Sequence, residues 1–288
     1  MTRIIVADGT DLYVVRPGAR RSHVRIPQHR AGRLANRQPV WAPDGTRLAW
    51  SAYDRRRADA PTVVSIVDAN GEHRVDHELV FPAFYLHWRP DGRALATLSE
   101  GPLGIELTVI DVTDGSQRIV ARGTPLFFDW APDGTLCIHA GQGSDHRIQI
   151  VDGDATAIGV TGQPGRFTAP AWRGNDEVLV SLQVDGARTL ALVGRDGTVR
   201  RELATTRGLV RFAVSPDGDR IAYVDSTEIA LGHPTLAGRP DPPPRAGVPP
   251  AKPDQLVVHD LRDDTVVPVA DEPPVALAWS PDGSKLAY

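Results

Sequence analysis

The sequence predicts an all-β protein, a β-propeller of about six four-stranded blades. Three observations carry that expectation. A turn motif recurs, as Trp41-Ala42-Pro43-Asp44-Gly45, Trp88-Arg89-Pro90-Asp91-Gly92, Trp130-Ala131-Pro132-Asp133-Gly134, Val214-Ser215-Pro216-Asp217-Gly218 and Trp279-Ser280-Pro281-Asp282-Gly283. A worn copy, Trp172-Arg173-Gly174-Asn175-Asp176, fills the gap. The spacing is regular: 47 residues from Pro43 to Pro90, then 42, 42 and 42 to Pro132, Gly174 and Pro216, and 65 to Pro281. Short apolar runs follow the copies, such as Leu48-Ala49-Trp50 and Ile221-Ala222-Tyr223. A period of about 40–45 residues is that of a propeller blade. One repeat cannot bury both faces of its sheet, whereas neighbouring repeats can bury them for each other.

The motif is a hairpin turn. Proline presets φ, aspartate bonds the local backbone, and glycine takes the left-handed conformation that turns the chain into the next strand. Asp44, Asp91, Asp133, Asp217 and Asp282 are therefore expected to be turn residues rather than catalytic groups or metal ligands. The tryptophan before the turn is placed to pack on the neighbouring repeat.

Composition agrees with one domain over residues 1–288. The 27 glycines and 25 prolines suit a turn-rich β protein. A net charge of −4 gives no general attraction to nucleic acid or anionic lipid. Cys137 is the only cysteine, so no intrachain disulfide can form. Its run, Leu136-Cys137-Ile138, reads as a buried strand. No apolar run approaches the ~20 residues of a membrane helix, and no export signal is visible. A cytoplasmic monomer is expected, or a periplasmic or extracellular one if the start has been trimmed.

In chain order, residues 1–33 offer three strands without the motif. Blade one follows from about residue 38, with strands at 39–41, 47–52, 62–67 and 73–79. The arginines at 55–57 fall in a loop. His73 and His77 would share one face of the last strand, about 13 Å apart, too far for one metal. No metal or other cofactor is expected. Blades two, three and four span about 83–122, 125–165 and 168–206.

The first strands of blades two and three are unusual. Where other copies have Val40, Ala171, Ala213 or Ala278 one residue before the motif, these have His87 and Asp129. Residues one and three before the motif share a strand face. Tyr85, His87, Phe127, Asp129 and Arg211 thus form a candidate ligand site on the channel-lining strands. A histidine beside an aspartate could also move a proton. The plainer alternative is that they line the channel or bond between blades.

Blade five begins near residue 209 and is 23 residues longer than the 42-residue period (65 − 42). The excess, 233–253, holds Pro242-Pro243-Pro244 and Pro249-Pro250. Such a segment favours extended, unpacked conformations and reads as a loop between the second and third strands. The last residues give two strands of a further blade. Either six blades close with one redundant strand, or the chain belongs to a seven- or eight-bladed ring.

The repeated Trp-Ser-Pro-Asp-Gly-x-x-Leu-Ala pattern resembles the WD40-like repeats of the TolB propeller family. It is also similar to the propeller domains of prolyl-oligopeptidase-type peptidases. The first resemblance implies a periplasmic protein-interaction module with a further N-terminal domain. The second implies a gating propeller beside an α/β-hydrolase domain. The chain has no Gly-x-Ser-x-Gly elbow. Ser144, in Gly141-Gln142-Gly143-Ser144-Asp145-His146, lies too close in sequence to its neighbours to form a triad with them. The expected function is a non-catalytic scaffold binding a protein or peptide on the face of the Pro-rich loop. The alternative is a small-molecule-binding, hydrolase or lyase-type propeller with its site at the channel mouth.

Overall fold

Every copy of the motif turns one strand back onto the next. In the computed structural model, which describes residues 4–8, 11–15, 23–26, 34–54, 62–142, 145–153, 157–165, 168–226 and 246–288, the five aspartates act as anticipated. Each Oδ1 accepts the backbone N–H two residues on, at 2.9, 2.8, 3.0, 3.1 and 3.0 Å for Asp44, Asp91, Asp133, Asp217 and Asp282. The five glycines sit at φ between 67° and 92°, where a side chain would be strained. The arginines at 55–57, Ser144 and residues 233–245 lie outside the described residues.

The described residues are all β, without helices. The chain divides into two units, Met1–Thr124 and Pro125–Tyr288.

In the first unit, β1 (Ile4–Asp8), β2 (Asp11–Val15) and β3 (His23–Ile26) form a three-stranded antiparallel sheet. Blade one is β4 (Leu34–Trp41), β5 (Arg47–Asp54), β6 (Thr62–Asp68) and β7 (Val75–Leu79). Blade two is β8 (Ala83–Trp88), β9 (Ala94–Gly101), β10 (Gly104–Asp111) and β11 (Gln117–Gly123). Both blades pair their strands in sequence order, as meanders. Leu12 and Val14 of β2 pack on Leu48, Trp50, Ala52 and Val67. Val64, Ile66 and Leu79 pack on Leu86, Trp88, Leu95 and Ile110. Blade one therefore has both faces covered by neighbouring sheets, as the repeat requires.

In the second unit, blade three is β12 (Leu126–Trp130), β13 (Leu136–Gln142), β14 (Asp145–Val151) and β15 (Ala157–Gly159). Blade four is β16 (Gln163–Pro164), β17 (Ala171–Arg173), β18 (Glu177–Val184), β19 (Ala187–Gly194) and β20 (Val199–Thr205). Blade five is β21 (Leu209–Val214), β22 (Arg220–Ser226), β23 (Leu256–Asp260) and β24 (Thr265–Ala270). A last pair, β25 (Ala278–Trp279) and β26 (Leu286–Ala287), follows. Cys137 and Ile150 pack on Trp172, Val178 and Val193. Leu190 and Leu203 pack on Val210, Ile221 and Tyr223. Val224 and Leu256 pack on Leu277, Trp279 and Leu286.

Two expectations need correction. Residues 163–164 do not close blade three, because Gln163 and Pro164 pair with Gln183 and Leu182 of β18. Gly165 makes that pairing possible. Its N–H donates to the Ser181 carbonyl at 2.9 Å, and a Cβ there would stand 2.3 Å from Ser181 Oγ. Blade four thus has a divided first strand. His73, in turn, is not on β7. It occupies the preceding turn at φ 51°, because the Asp68 carboxylate gathers Asn70 N–H, Glu72 N–H and the His73 ring at 2.8–2.9 Å. Asp68, Glu72 and His73 bring possible ligand atoms within 4.8 Å of one another, with Asp68 and His73 hydrogen-bonded to each other in the turn.

The far end of the Pro-rich insertion is held in place. Thr205 N–H donates to the Pro249 carbonyl, Ala251 N–H to the Thr205 carbonyl, and Asp254 N–H to the Asp225 carbonyl, at 2.8, 2.8 and 2.9 Å. Prolines lack a donor but keep an acceptor, so Pro249 can still extend the ladder from the end of β20. Asp225, fully buried, also caps the link between blades four and five, accepting Arg207 N–H at 2.8 Å and Gly208 N–H at 2.6 Å.

Candidate functional site

The motif tryptophans join neighbouring blades through a repeated hydrogen bond. Trp88 Nε1–H donates to the Val40 carbonyl at 3.2 Å, Trp172 Nε1–H to the Asp129 carbonyl at 3.1 Å, and Trp279 Nε1–H to the Ala213 carbonyl at 3.1 Å. Each acceptor is the residue just before the preceding blade's motif. The backbone of that position is therefore structural in every blade where the bond is seen.

Arginines add a second tie that the sequence reading passed over. Arg47 donates to the Gly92 carbonyl at 2.7 Å and lies 5.2 Å from the Trp88 ring centre. Arg220 donates to the Gly283 carbonyl at 2.7 Å and lies 4.9 Å from the Trp279 ring centre. The signal was present: Arg47 and Arg220 both stand two residues after the motif glycine. Leu136 takes that place in blade three. There Arg195, from the β19–β20 hairpin, pairs with Asp133 and donates to Thr135 Oγ1 at 2.6 Å. Arg47→Met is expected to cost about 1–2 kcal/mol, from one hydrogen bond and one cation–π contact. Urea denaturation would check this, with an unchanged midpoint counting against the tie.

The five candidate residues divide between the units. Tyr85 and His87 stand on β8 in the first unit, paired with Leu98 and Ala96 of β9. A bulge between Ala83 and Tyr85 breaks the alternation, so Phe84 and Tyr85 are both exposed, at 42% and 41%. The Tyr85 and His87 rings meet edge to face, with centres 6.2 Å apart. Burial holds the His87 imidazole below its ordinary pKa, which keeps the ring neutral at physiological pH.

Phe127, Asp129 and Arg211 stand in the second unit. On β12, Leu126, Phe128 and Trp130 are buried, whereas Phe127 is exposed and Asp129 partly so. The shared face of Phe127 and Asp129 is thus as the register anticipated. Asp129 is committed to the next blade, with its Oδ2 accepting the Trp172 backbone N–H at 3.0 Å. Desolvation pushes its pKa up to about 6, although that hydrogen bond favours the charged form. Cys137, opposite Asp129 in the ladder, is fully buried and its thiol is pushed far up by burial. It is an inert core residue.

Sequence reading also missed His139, which pairs with Phe127 in the ladder. Burial lowers its pKa to about 4. The ring is neutral, and its Nδ1–H donates to the Thr168 carbonyl at 3.2 Å. Thr168 and Ala169, with Leu209, Val210, Arg211 and Phe212, line a cleft of about 250 Å³.

No family model matches the chain. Over 113 residues, 38% of its length, it is 31% identical to a Protein TolB homolog from Chlorobium luteolum. That stretch spans 26% of the relative. Among solved structures, the chain is similar to the putative TolB from Agrobacterium tumefaciens, with 18% identity and a TM-score of 0.52 over 91% of each chain. It is also similar to the β-propeller domain of the Trilobed protease from Pyrococcus furiosus. There the identity is 16% and the TM-score 0.54, over 88% of this chain and 77% of that one. These solved structures show the β-propeller fold for the chain, and the 113-residue stretch is a sequence likeness to a TolB homolog.

Proposed function

We propose that the chain is a non-catalytic scaffold that binds a peptide or an extended protein segment. One observation carries this reading. On the strands where chemistry was sought, Asp129 and His139 are bonded into the fold while aromatic side chains remain exposed. Asp129 is bound to the backbone of Trp172, and His139 to the carbonyl of Thr168. Phe84, Tyr85 and Phe127 are 39–42% exposed. Exposed aromatics give large contact area at low entropic cost. The sequence likeness to a TolB homolog supports the same class.

The compartment belongs to the same proposal. The family resemblance implies the periplasm, which favours the trimmed-start alternative over the cytoplasmic expectation. Among the described residues no helix is long and apolar enough to cross a membrane.

A displayed random-peptide library panned on the purified chain tests the reading. A recurrent peptide family is expected, and its binding should weaken in Phe127→Ala at unchanged melting temperature. The Pro-rich loop is tested by replacing 233–245 with a short Gly-Ser linker, sparing the anchor at Pro249–Asp254. The melting temperature is expected to hold and peptide affinity to fall. A panel that enriches nothing would overturn the scaffold reading.

A further inference from the structure

We propose that the cleft around Arg211 recognises the free carboxylate at the C-terminus of a bound peptide. This rests on the peptide-binding reading above and gives it a chemical determinant.

The cleft lies between the segment just before β17 of blade four and strand β21 of blade five, within the second unit. Counting back three residues from each motif, Phe127, Ala169 and Arg211 are equivalent positions of successive blades. Where blade three has a phenyl ring, blade four has only a methyl group and blade five a guanidinium. The small side chain of Ala169 leaves the space that the longer Arg211 borders.

The state of Arg211 is unusual for this unit. The other partly buried arginines described there each have a partner. Arg173 holds Glu177 and the Gly218 carbonyl, and Arg188 the Arg207 carbonyl. Arg195 holds Asp133, Arg201 holds Asp264, and Arg220 the Gly283 carbonyl. Arg211 alone of them makes no hydrogen bond or ion pair among the described residues. A partly buried charge without a partner has lost part of its hydration and gained nothing in return. The buried acid of this blade does not meet the need. Asp225 is opposite Val210 in the ladder, one position from the Arg211–Val224 pair. Its side chain therefore falls on the other face of the sheet, where it is engaged by Arg207 N–H and Gly208 N–H.

The cleft's other features suit a chain end. A guanidinium presents parallel donors that fit a carboxylate in bidentate fashion. Thr168 adds a hydroxyl, and His139 fixes the backbone of that wall through its carbonyl. Leu209, partly exposed on the same face of β21 as Arg211, supplies apolar surface for a terminal side chain. Arg211 is the single cation among the described lining residues, which matches one negative charge better than a phosphate dianion. At about 250 Å³ the space takes one or two residues, not a folded partner.

The test is NMR of the arginine Nε–Hε signals of the full chain, titrated with N-acetyl-Leu-Phe and with the same dipeptide as its C-terminal amide. Sodium acetate is the third probe. The free acid is expected to shift the Arg211 signal with a millimolar Kd, about tenfold below that of the amide. Read in the backbone amide shifts of Leu209–Phe212, Arg211→Gln should abolish the difference between acid and amide at unchanged melting temperature, and Arg211→Lys should keep part of it. Equal binding of acid and amide would overturn carboxylate recognition while leaving the scaffold intact. No Arg211 response to any probe at about 10 mM would also overturn it. A response to acetate matched by the dipeptide acid, together with an empty peptide panel, would keep the anion site and remove the scaffold reading.

Discussion

Trp172→Ala is expected to lower stability by about 4 kcal/mol, the range for removing a buried indole from a packed core. Trp172 is 7% exposed and packs between Cys137, Ile148 and Ile150 of blade three and Val178, Val180 and Val193 of its own blade. Its Nε1–H holds the Asp129 carbonyl, so both the packing and the tie between two sheets are lost together. Trp172→Phe separates the two contributions. It keeps most of the apolar area, loses the donor, and should cost about 1–2 kcal/mol. Urea denaturation followed by far-ultraviolet circular dichroism would measure both. Equal losses in the two variants would mean that the hydrogen bond, not the packing, carries the junction.

Asp129→Asn is expected to stabilise the chain at neutral pH by about 2–3 kcal/mol. The folded carboxyl has its pKa raised to about 6, from an ordinary value of 3.8, and each unit is worth about 1.4 kcal/mol. The direction follows from proton binding. Between pH 3.8 and about 6 the folded state holds the proton that the unfolded state has released. Stability at this site is therefore complete below that window and falls as pH rises through it. Asparagine keeps an oxygen to accept the Trp172 N–H and carries no charge to desolvate. Melting temperatures of both proteins from pH 4 to 8 would settle the matter. The wild type should lose ground to the variant across the window, and parallel profiles would show that the carboxylate is better solvated than its surroundings imply.

Asp129 also shows why a site cannot be read from residue types alone. The departure from Val or Ala at that register position was visible, and so was the shared face with Phe127. A titratable side chain there could equally have met a ligand or the neighbouring blade. Only the position of Trp172 N–H, 43 residues on, decided between them. His73 and His77 give a similar lesson. Strand periodicity put them on one face, but the carboxylate of Asp68 drew His73 into a turn. Gln163 and Pro164 look like the end of one blade and belong to the next, because Gly165 lets two backbones approach.

What the amino-acid sequence by itself determined is the repeat: turn, strand polarity, blade length and the buried face of each strand. Those properties are local. Pro-Asp-Gly bends the chain wherever it stands, and alternation along a strand fixes which side chains go inward. The tertiary structure alone decided which polar groups are used up. Arg47, Arg195 and Arg220 find carbonyls or carboxylates on a neighbouring blade, Asp225 finds two backbone donors, and Arg211 finds none among the described residues. Such pairings join residues that lie 17 to 63 positions apart, and a short hydrogen bond requires both partners to be brought within about 3 Å. No local pattern encodes that distance; it is set when the blades pack against each other.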